Sequence, residues 1–234
     1  MTRQIFLDTE TTGLSPENGD RIIEIGCVEM LNRRLTGGNK HFYLNPERRS
    51  HEDAVKIHGL TDEFLADKPK FEVIAEELMN YLAGAEVIIH NAAFDIGFLD
   101  AELKRLERPR FTEQVGGVTD SLTMAREMFP GKSNSLDALC RRLEVDNASR
   151  TLHGALLDAG LLAEVYIRMT RGQNALVIDA GASSGGTIAI ADIDLGQFAL
   201  PVVEPNETEL QAHEAVLAEL DKASGGKTLW RTMA

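Results

Sequence analysis

Ile5-Phe6-Leu7-Asp8-Thr9-Glu10-Thr11-Thr12-Gly13 decides how the rest of the chain is read. Ile5, Phe6 and Leu7 have the character of a short buried strand, and the polar run ending at Gly13 is its exit into a turn. Side chains two apart on a strand share a face, so Asp8 and Glu10 project together and Thr9 is turned away. Two neighbouring carboxylates repel, and a hard divalent cation such as Mg2+ or Mn2+, which prefers oxygen ligands, relieves them. Taken alone, the same stretch reads more readily as a solvated strand end carrying two acids by chance.

Working outward, Arg21 to Met30 is β-rich, Thr36-Gly37-Gly38-Asn39 is a turn and His41 to Leu44 is a further strand, which predicts an antiparallel hairpin with the first strand beside it. Gly59 marks a helix terminus, and Thr61 is the expected cap of a short helix. Phe71, Ile74, Leu78 and Leu82 recur at helical spacing and predict an amphipathic helix over 70–83, stopped at Gly84.

Val87-Ile88-Ile89 is a fully apolar run suited to a buried strand, with His90-Asn91-Ala92-Ala93-Phe94-Asp95 as its exit into a helix ending before Pro109. Asp95 falls in the first turn of that helix, where the dipole favours an acid for purely structural reasons. Gly117 to Ser121 is another strand end, with Asp120 or Ser121 capping the helix that follows. Ser133-Asn134-Ser135 caps a second helix whose apolar face is Leu136, Leu139, Cys140 and Leu143. Thr151 to about Thr170 is a last helix, rich in Ala and Leu.

Past Gly172 the composition changes. Ala180-Gly181-Ala182-Ser183-Ser184-Gly185-Gly186 is linker chemistry, and Glu207 to Lys222 has the pattern of a short amphipathic helix with Leu210, Val216, Leu217 and Leu220 on one side. The order of elements predicts an α/β domain with a mixed sheet flanked by helices over 1–171, a flexible linker over 172–206 and an interaction tail over 207–234. With 43% hydrophobic and 26% charged residues the chain is of ordinary globular character, and no apolar run approaches a membrane span, so a cytoplasmic protein without membrane contact is expected. The net charge of -13 argues against holding nucleic acid by a broad basic face, but not against an enzyme in which metal ions supply positive charge locally. Cys27 and Cys140, far apart in the chain, are expected as buried thiols.

Four acids thus stand at element ends: Asp8 and Glu10 after the first strand, Asp95 at a helix start, and Asp158 in the last helix. On a regular helix His153 and Asp158, five apart, would differ in direction by about 140°, so His153 is expected on the loop before Gly154, where it can swing as a base. Four carboxylates and an imidazole suit phosphodiester hydrolysis with two divalent ions, the imidazole taking a proton from water. No nucleophile elbow and no Walker loop is present.

Asp8-Thr9-Glu10-Thr11-Thr12-Gly13-Leu14, His90-Asn91-Ala92-Ala93-Phe94-Asp95 and His153-Gly154-Ala155-Leu156-Leu157-Asp158 resemble the three motifs of the DEDD exonuclease family, in its histidine-bearing branch. The likeness to the proofreading subunits of bacterial DNA polymerase III extends between the motifs and, more loosely, to Gly225-Gly226 and Leu229-Trp230-Arg231. The resemblance implies a ribonuclease H-like fold, Asp8, Glu10, Asp95 and Asp158 holding two Mg2+ or Mn2+ ions, His153 as general base, and release of nucleoside 5'-monophosphates from a single-stranded or mispaired DNA 3' end. It also implies Thr11, His58 and Phe94 beside the terminal nucleotide, although from the residues alone His58 is equally a satisfied histidine beside a turn and Phe94 equally core packing. A mispaired end costs less to unstack, which would give selectivity. As partners it implies the catalytic alpha subunit of DNA polymerase III, contacted through the tail and Trp230, and a small theta-like subunit. The segment beginning Gln173-Asn174-Ala175-Leu176 looks like a binding motif for the beta sliding clamp. A lone tryptophan could instead pack back on the domain. Competing readings are an exoribonuclease of the same motifs, disfavoured by the long tail, and a replicase scaffold whose exonuclease has decayed, disfavoured by the intact acids and His153.

Overall fold

The computed structural model describes residues 2–147, 152–171, 205–226 and 230. The chain begins with β1 (Arg3–Thr11), which pairs antiparallel along its whole length with β2 (Ile22–Leu31). Asn32 and Arg33, both at positive φ, turn the chain straight into β3 (Arg34–Leu35), and β4 (Lys40–Tyr43) then returns to pair with the other half of β2. The expected hairpin is present, but its tight turn is Asn32-Arg33 and not the Gly-Gly pair, which joins β3 to β4. Two residues able to adopt the left-handed region suffice for a two-residue loop, and that signal is weaker in sequence than a glycine pair.

Next come α1 (Glu52–His58), closed by Gly59 at φ 74°, α2 (Asp62–Leu65), capped by the Thr61 hydroxyl, and α3 (Phe71–Leu82). Strand β5 (Glu86–Ile89) lies parallel to β1, on the side of it away from β2. It leads into α4 (Ala92–Arg105), the single turn α5 (Phe111–Gln114) and β6 (Gly117–Asp120), parallel to β5. Three helices complete this unit: α6 (Ser121–Met128), α7 (Leu136–Arg142) and α8 (Ala155–Met169). The sheet order is β3-β2-β1-β5-β6, with β4 also on β2, a mixed sheet as expected.

Strand alternation divides the apolar residues between the two faces. Ile5, Leu7, Val87 and Ile89 pack with Phe71 and Leu78 of α3 and Phe98 and Leu99 of α4, while Phe6 and Ile88 pack with Leu139 and Cys140 of α7 and Leu162 and Val165 of α8. Both cysteines are buried and free, and burial pushes the Cys27 thiol up to about 12, which leaves it inert at neutral pH. The chain divides into two compact units, Met1–Asp179 and Ala180–Ala234. In the second, α9 (Glu207–Ser224) starts at a reciprocal cap between Asn206 and Glu209. The expected linker and clamp-binding residues, Gln173 and Leu176 included, lie outside the described residues. Among those described, no helix is long and apolar enough to cross a membrane.

Candidate active site

β1 runs four residues beyond its apolar segment, so Asp8 and Glu10 lie within the strand and not after it, paired across to Gly26 and Glu24 of β2. The register slips between Glu10 and Thr11. Such a bulge re-aims side chains at the strand end. Beyond it the chain is braced: Thr11 Oγ1 donates to the Gly13 carbonyl at 2.6 Å, and Asp20 accepts from Thr12 Oγ1 and from the Ser15 amide, both at 3.1 Å. Arg48 and His51 each reach the same Asp20 oxygen at 3.1 Å. Burial would raise the Asp20 pKa, but these donors and cations outweigh it and hold the carboxyl below its ordinary value.

The second acid comes from α4. β5 turns into this helix through His90 and Asn91, the latter at φ 69° with its amide held by Asp120 Oδ1 at 3.2 Å. Asp120 is also the cap of α6, accepting from the Leu122 amide at 2.8 Å, so one structural carboxylate fixes both helix starts. Arg21 grips Glu102 of α4 through two hydrogen bonds of 2.6 and 2.8 Å. Asp95 is thereby brought, only 3% exposed, under the end of β1, where Thr9 Oγ1 donates to its Oδ1 at 2.7 Å. Thr9 does turn away from Asp8 and Glu10, as strand alternation requires, but it is not idle: on the opposite face it holds Asp95. No local pattern reveals this role, because the partner is 86 positions away. Burial pushes the Asp95 carboxyl up to about 7 despite the Thr9 bond.

The third segment is α8, which begins at Ala155. His153 stands before the helix, as expected, with its amide donating to the Ile57 carbonyl of α1 at 3.1 Å. Freed from helical geometry, its Nδ1 comes to 3.2 Å from Asp158 Oδ2, the imidazole half-exposed and the carboxylate buried. Atoms of Glu10, His153 and Asp158 suited to hold a metal lie within 4.8 Å of one another. Gly26 makes this placement possible. A Cβ there would lie 2.2 Å from the backbone of Ala155 and Leu156, so only a bare strand lets the first turn of α8 sit on β2 beside Asp8. An isolated glycine inside a strand is a legible sign of such an approach.

Asp8, Glu10, Asp95, His153 and Asp158 together line one cavity of about 320 Å3. A second cavity, of about 480 Å3, shares Thr9, Glu10 and Phe94 with it and is lined further by Thr11, Leu14, Ile57 and His58. His58 is 5% exposed; its Nδ1 accepts from the Leu60 amide at 3.0 Å, while its buried Nε2 has no partner among the described residues. Burial lowers its pKa, so the ring is neutral and its Nε2–H faces an unmet need. Phe94 is half-buried, 5.0 Å from the Phe98 ring, and belongs to both cavities. Trp230 is 72% exposed.

Residues 5–166 match the family described as Exonuclease. The chain is 52% identical over 237 residues to the DNA polymerase III subunit epsilon of Pasteurella multocida (strain Pm70), covering 98% of this chain and 93% of that one. It is equally 52% identical over 240 residues to the subunit epsilon of Escherichia coli (strain K12), with 99% and 98% covered. Among solved structures, exonuclease X in complex with 5' overhanging duplex DNA is similar with a TM-score of 0.56 at 26% identity, covering 73% of this chain and 91% of that one. The expected ribonuclease H-like fold of an exonuclease is thus the observed one, and the chain belongs to the exonuclease family, among the DNA polymerase III epsilon subunits.

Proposed function

We propose that this chain is the 3'–5' proofreading exodeoxyribonuclease of a replicase, hydrolysing the terminal phosphodiester of a single-stranded or mispaired DNA 3' end to release a nucleoside 5'-monophosphate. The observation that carries the proposal is the meeting of four carboxylates and one imidazole, from three distant segments, in one cavity that opens into an apolar neighbour.

Asp8, Glu10, Asp95 and Asp158 would hold two divalent cations, Mg2+ or Mn2+. The donor set fits: all-oxygen, strongly acidic, and with Asp95 and Asp158 each only 3% exposed. When bound, such ions lower the pKa of water and steady the departing oxygen. The protein's own part is positional and protonic. Thr9 fixes Asp95, and His153, half-exposed on a loop outside α8, is the general base that accepts the proton of the attacking water. Phe94, shared by both cavities, stacks on or wedges beside the terminal base. His58 supplies its Nε2–H to the terminal sugar or phosphate, and the braced turn at Thr11 lines the same space. An unpaired end reaches this cavity at lower unstacking cost than a paired one.

In the same reading, residues 1–171 form the catalytic domain and 207–234 dock on the catalytic alpha subunit of DNA polymerase III in the cytoplasm. Exposed Leu210, Val216, Leu220 and Trp230 support that docking as apolar side chains awaiting a partner. Residues 173–178 take the beta sliding clamp, and a theta-like subunit is a further partner.

Release of mononucleotides from a primer with a mispaired 3' end, in Mg2+ and in Mn2+, tests the reaction. Full activity should need the metal, exceed that on a matched end, and fall by about 100- to 10,000-fold in His153→Ala, the range for losing a general base. Metal-independent release, or equal activity of His153→Ala, would sink the mechanism. Preference for an RNA 3' end would redirect it to RNA trimming.

A further inference from the structure

A third cavity, of about 540 Å3, adjoins the acidic one. It shares His90, Asn91 and Ser135 with the acidic cavity and none of its lining with the apolar one, so the three follow one another in a row. Its character is opposite to that of its neighbour. Arg126 and Lys132 line it with the amides of Asn91 and Asn134, and among the described residues its lining holds no carboxylate. In a chain of net charge -13, two cations facing a carboxylate-free hollow are out of keeping with the surroundings.

The wall that carries them is firmly built. Asn134, 8% exposed, donates through Nδ2 to the carbonyls of Phe129 and Lys132 at 3.3 and 3.1 Å. Arg142 bonds Asn134 Oδ1 at 3.2 Å and the Ser133 carbonyl at 2.8 Å, and its guanidinium lies 4.7 Å from the Phe129 ring centroid. His90 Nδ1 meets Ser121 Oγ at 3.0 Å, and burial lowers its pKa, so a neutral ring braces the boundary between the acidic and basic cavities. One arginine, Arg142, is thus committed to holding the loop, while Arg126 and Lys132 are exposed towards the hollow.

We infer that this cavity is a subsite for the sugar-phosphate backbone of the DNA strand on the 5' side of the scissile linkage, with Arg126 and Lys132 pairing its phosphates. The inference rests on the nuclease reading of the acidic cavity. A strand whose terminal nucleoside fills the apolar cavity and whose scissile phosphate lies among the acids must send its next phosphates onward, and the basic hollow is the next space in the row. Backbone contacts of this kind position a strand without reading its sequence. They also place positive charge on the strand and away from the acids, so that the two do not neutralise each other.

The test compares two substrates in the full chain. The p-nitrophenyl ester of thymidine 5'-monophosphate has the scissile bond but no upstream phosphate, whereas a short oligothymidylate has both. In Arg126→Ala/Lys132→Ala, the ratio of kcat/KM on the oligonucleotide to that on the ester should fall by about tenfold, the loss lying in KM, and Arg126→Lys/Lys132→Arg should restore most of it. Binding of labelled oligothymidylate in Ca2+ should weaken by a similar factor, with a salt dependence flatter by roughly 0.7 for each phosphate that is no longer paired. An unchanged ratio, equal losses on both substrates, or unaltered binding would overturn the subsite. Should the unmodified protein cleave neither substrate, the nuclease reading falls, and binding then decides the subsite alone: weakened in the variant it stands, unaltered it falls.

Discussion

Helices α8 and α9 are both rich in Ala and Leu, yet α8 buries nine of its 15 residues and α9 one of its 18. Their starts differ in the opposite sense. α9 opens with a reciprocal Asn206–Glu209 cap, whereas α8 opens at Gly154 with no side-chain cap at all. Local hydrogen bonds thus define the first turn of α9, and burial on the sheet defines that of α8. Only the second arrangement can hold a side chain at a fixed point in space. Asp158, in the first turn of α8, is buried where that helix packs on β1 and β2, while α9 leaves Leu210, Val216 and Leu220 exposed.

The sharpest way to break this contrast is at Asp158 itself. Asp158→Asn should cut exonuclease activity on a mispaired primer by at least about 100-fold, the scale of losing a group aimed at the reacting centre, without lowering the unfolding temperature. A variant that is both active and stable would remove α8 from the chemistry.

Gly26→Ala probes the seat of α8. With a new Cβ 2.2 Å from the Ala155 and Leu156 backbone, the helix must shift or the strand must bend. Overpacking of this kind costs about 1–3 kcal/mol in urea unfolding. Activity should fall further than stability alone explains, because a displacement of about 1 Å at catalytic groups can cost on the order of 100-fold. An unaltered unfolding curve would show that the close approach does not hold the helix.

Asp20 tests the brace of the loop beyond β1. Its folded-state pKa is lowered, so it contributes stability above the unfolded carboxylate value and loses it as the pH falls through the folded value. Asp20→Asn should therefore be less stable than the parent at pH 7, by about 1–3 kcal/mol, with the gap closing below about pH 4. A gap independent of pH would mean that shape and not charge is what the site needs.

The smallest effect on the catalytic unit is expected from α9. Leu210→Ser/Val216→Ser changes two residues that are 50% and 56% exposed, so stability should move by no more than about 0.5 kcal/mol. Hydrolysis of single strands should survive, and so should it on deletion of 207–234, while co-elution with the polymerase catalytic subunit disappears in both. Retained co-elution would place the docking surface elsewhere.

Much of this architecture is legible in the chain because it is local. Apolar runs at Ile5–Leu7 and Val87–Ile89 make strands, helical spacing from Phe71 to Leu82 makes α3, Thr61 and Ser135 cap helices, and the four acids singled out in the sequence line one cavity, Asp8 and Glu10 from within β1. The sequence likewise determines that Asp8 and Glu10 share a face, since the period of a strand is two, and that His153 falls before its helix. Tertiary structure decided the rest: that Thr9 reaches Asp95, that Gly26 seats α8, that His58 Nε2 is buried without a partner among the described residues, and that Arg126 and Lys132 line a hollow next to the acidic cavity. The first two depend on segments far apart in the chain meeting to within a hydrogen bond or a van der Waals contact, and all four on the packing of helices on both faces of the sheet, which no local pattern encodes.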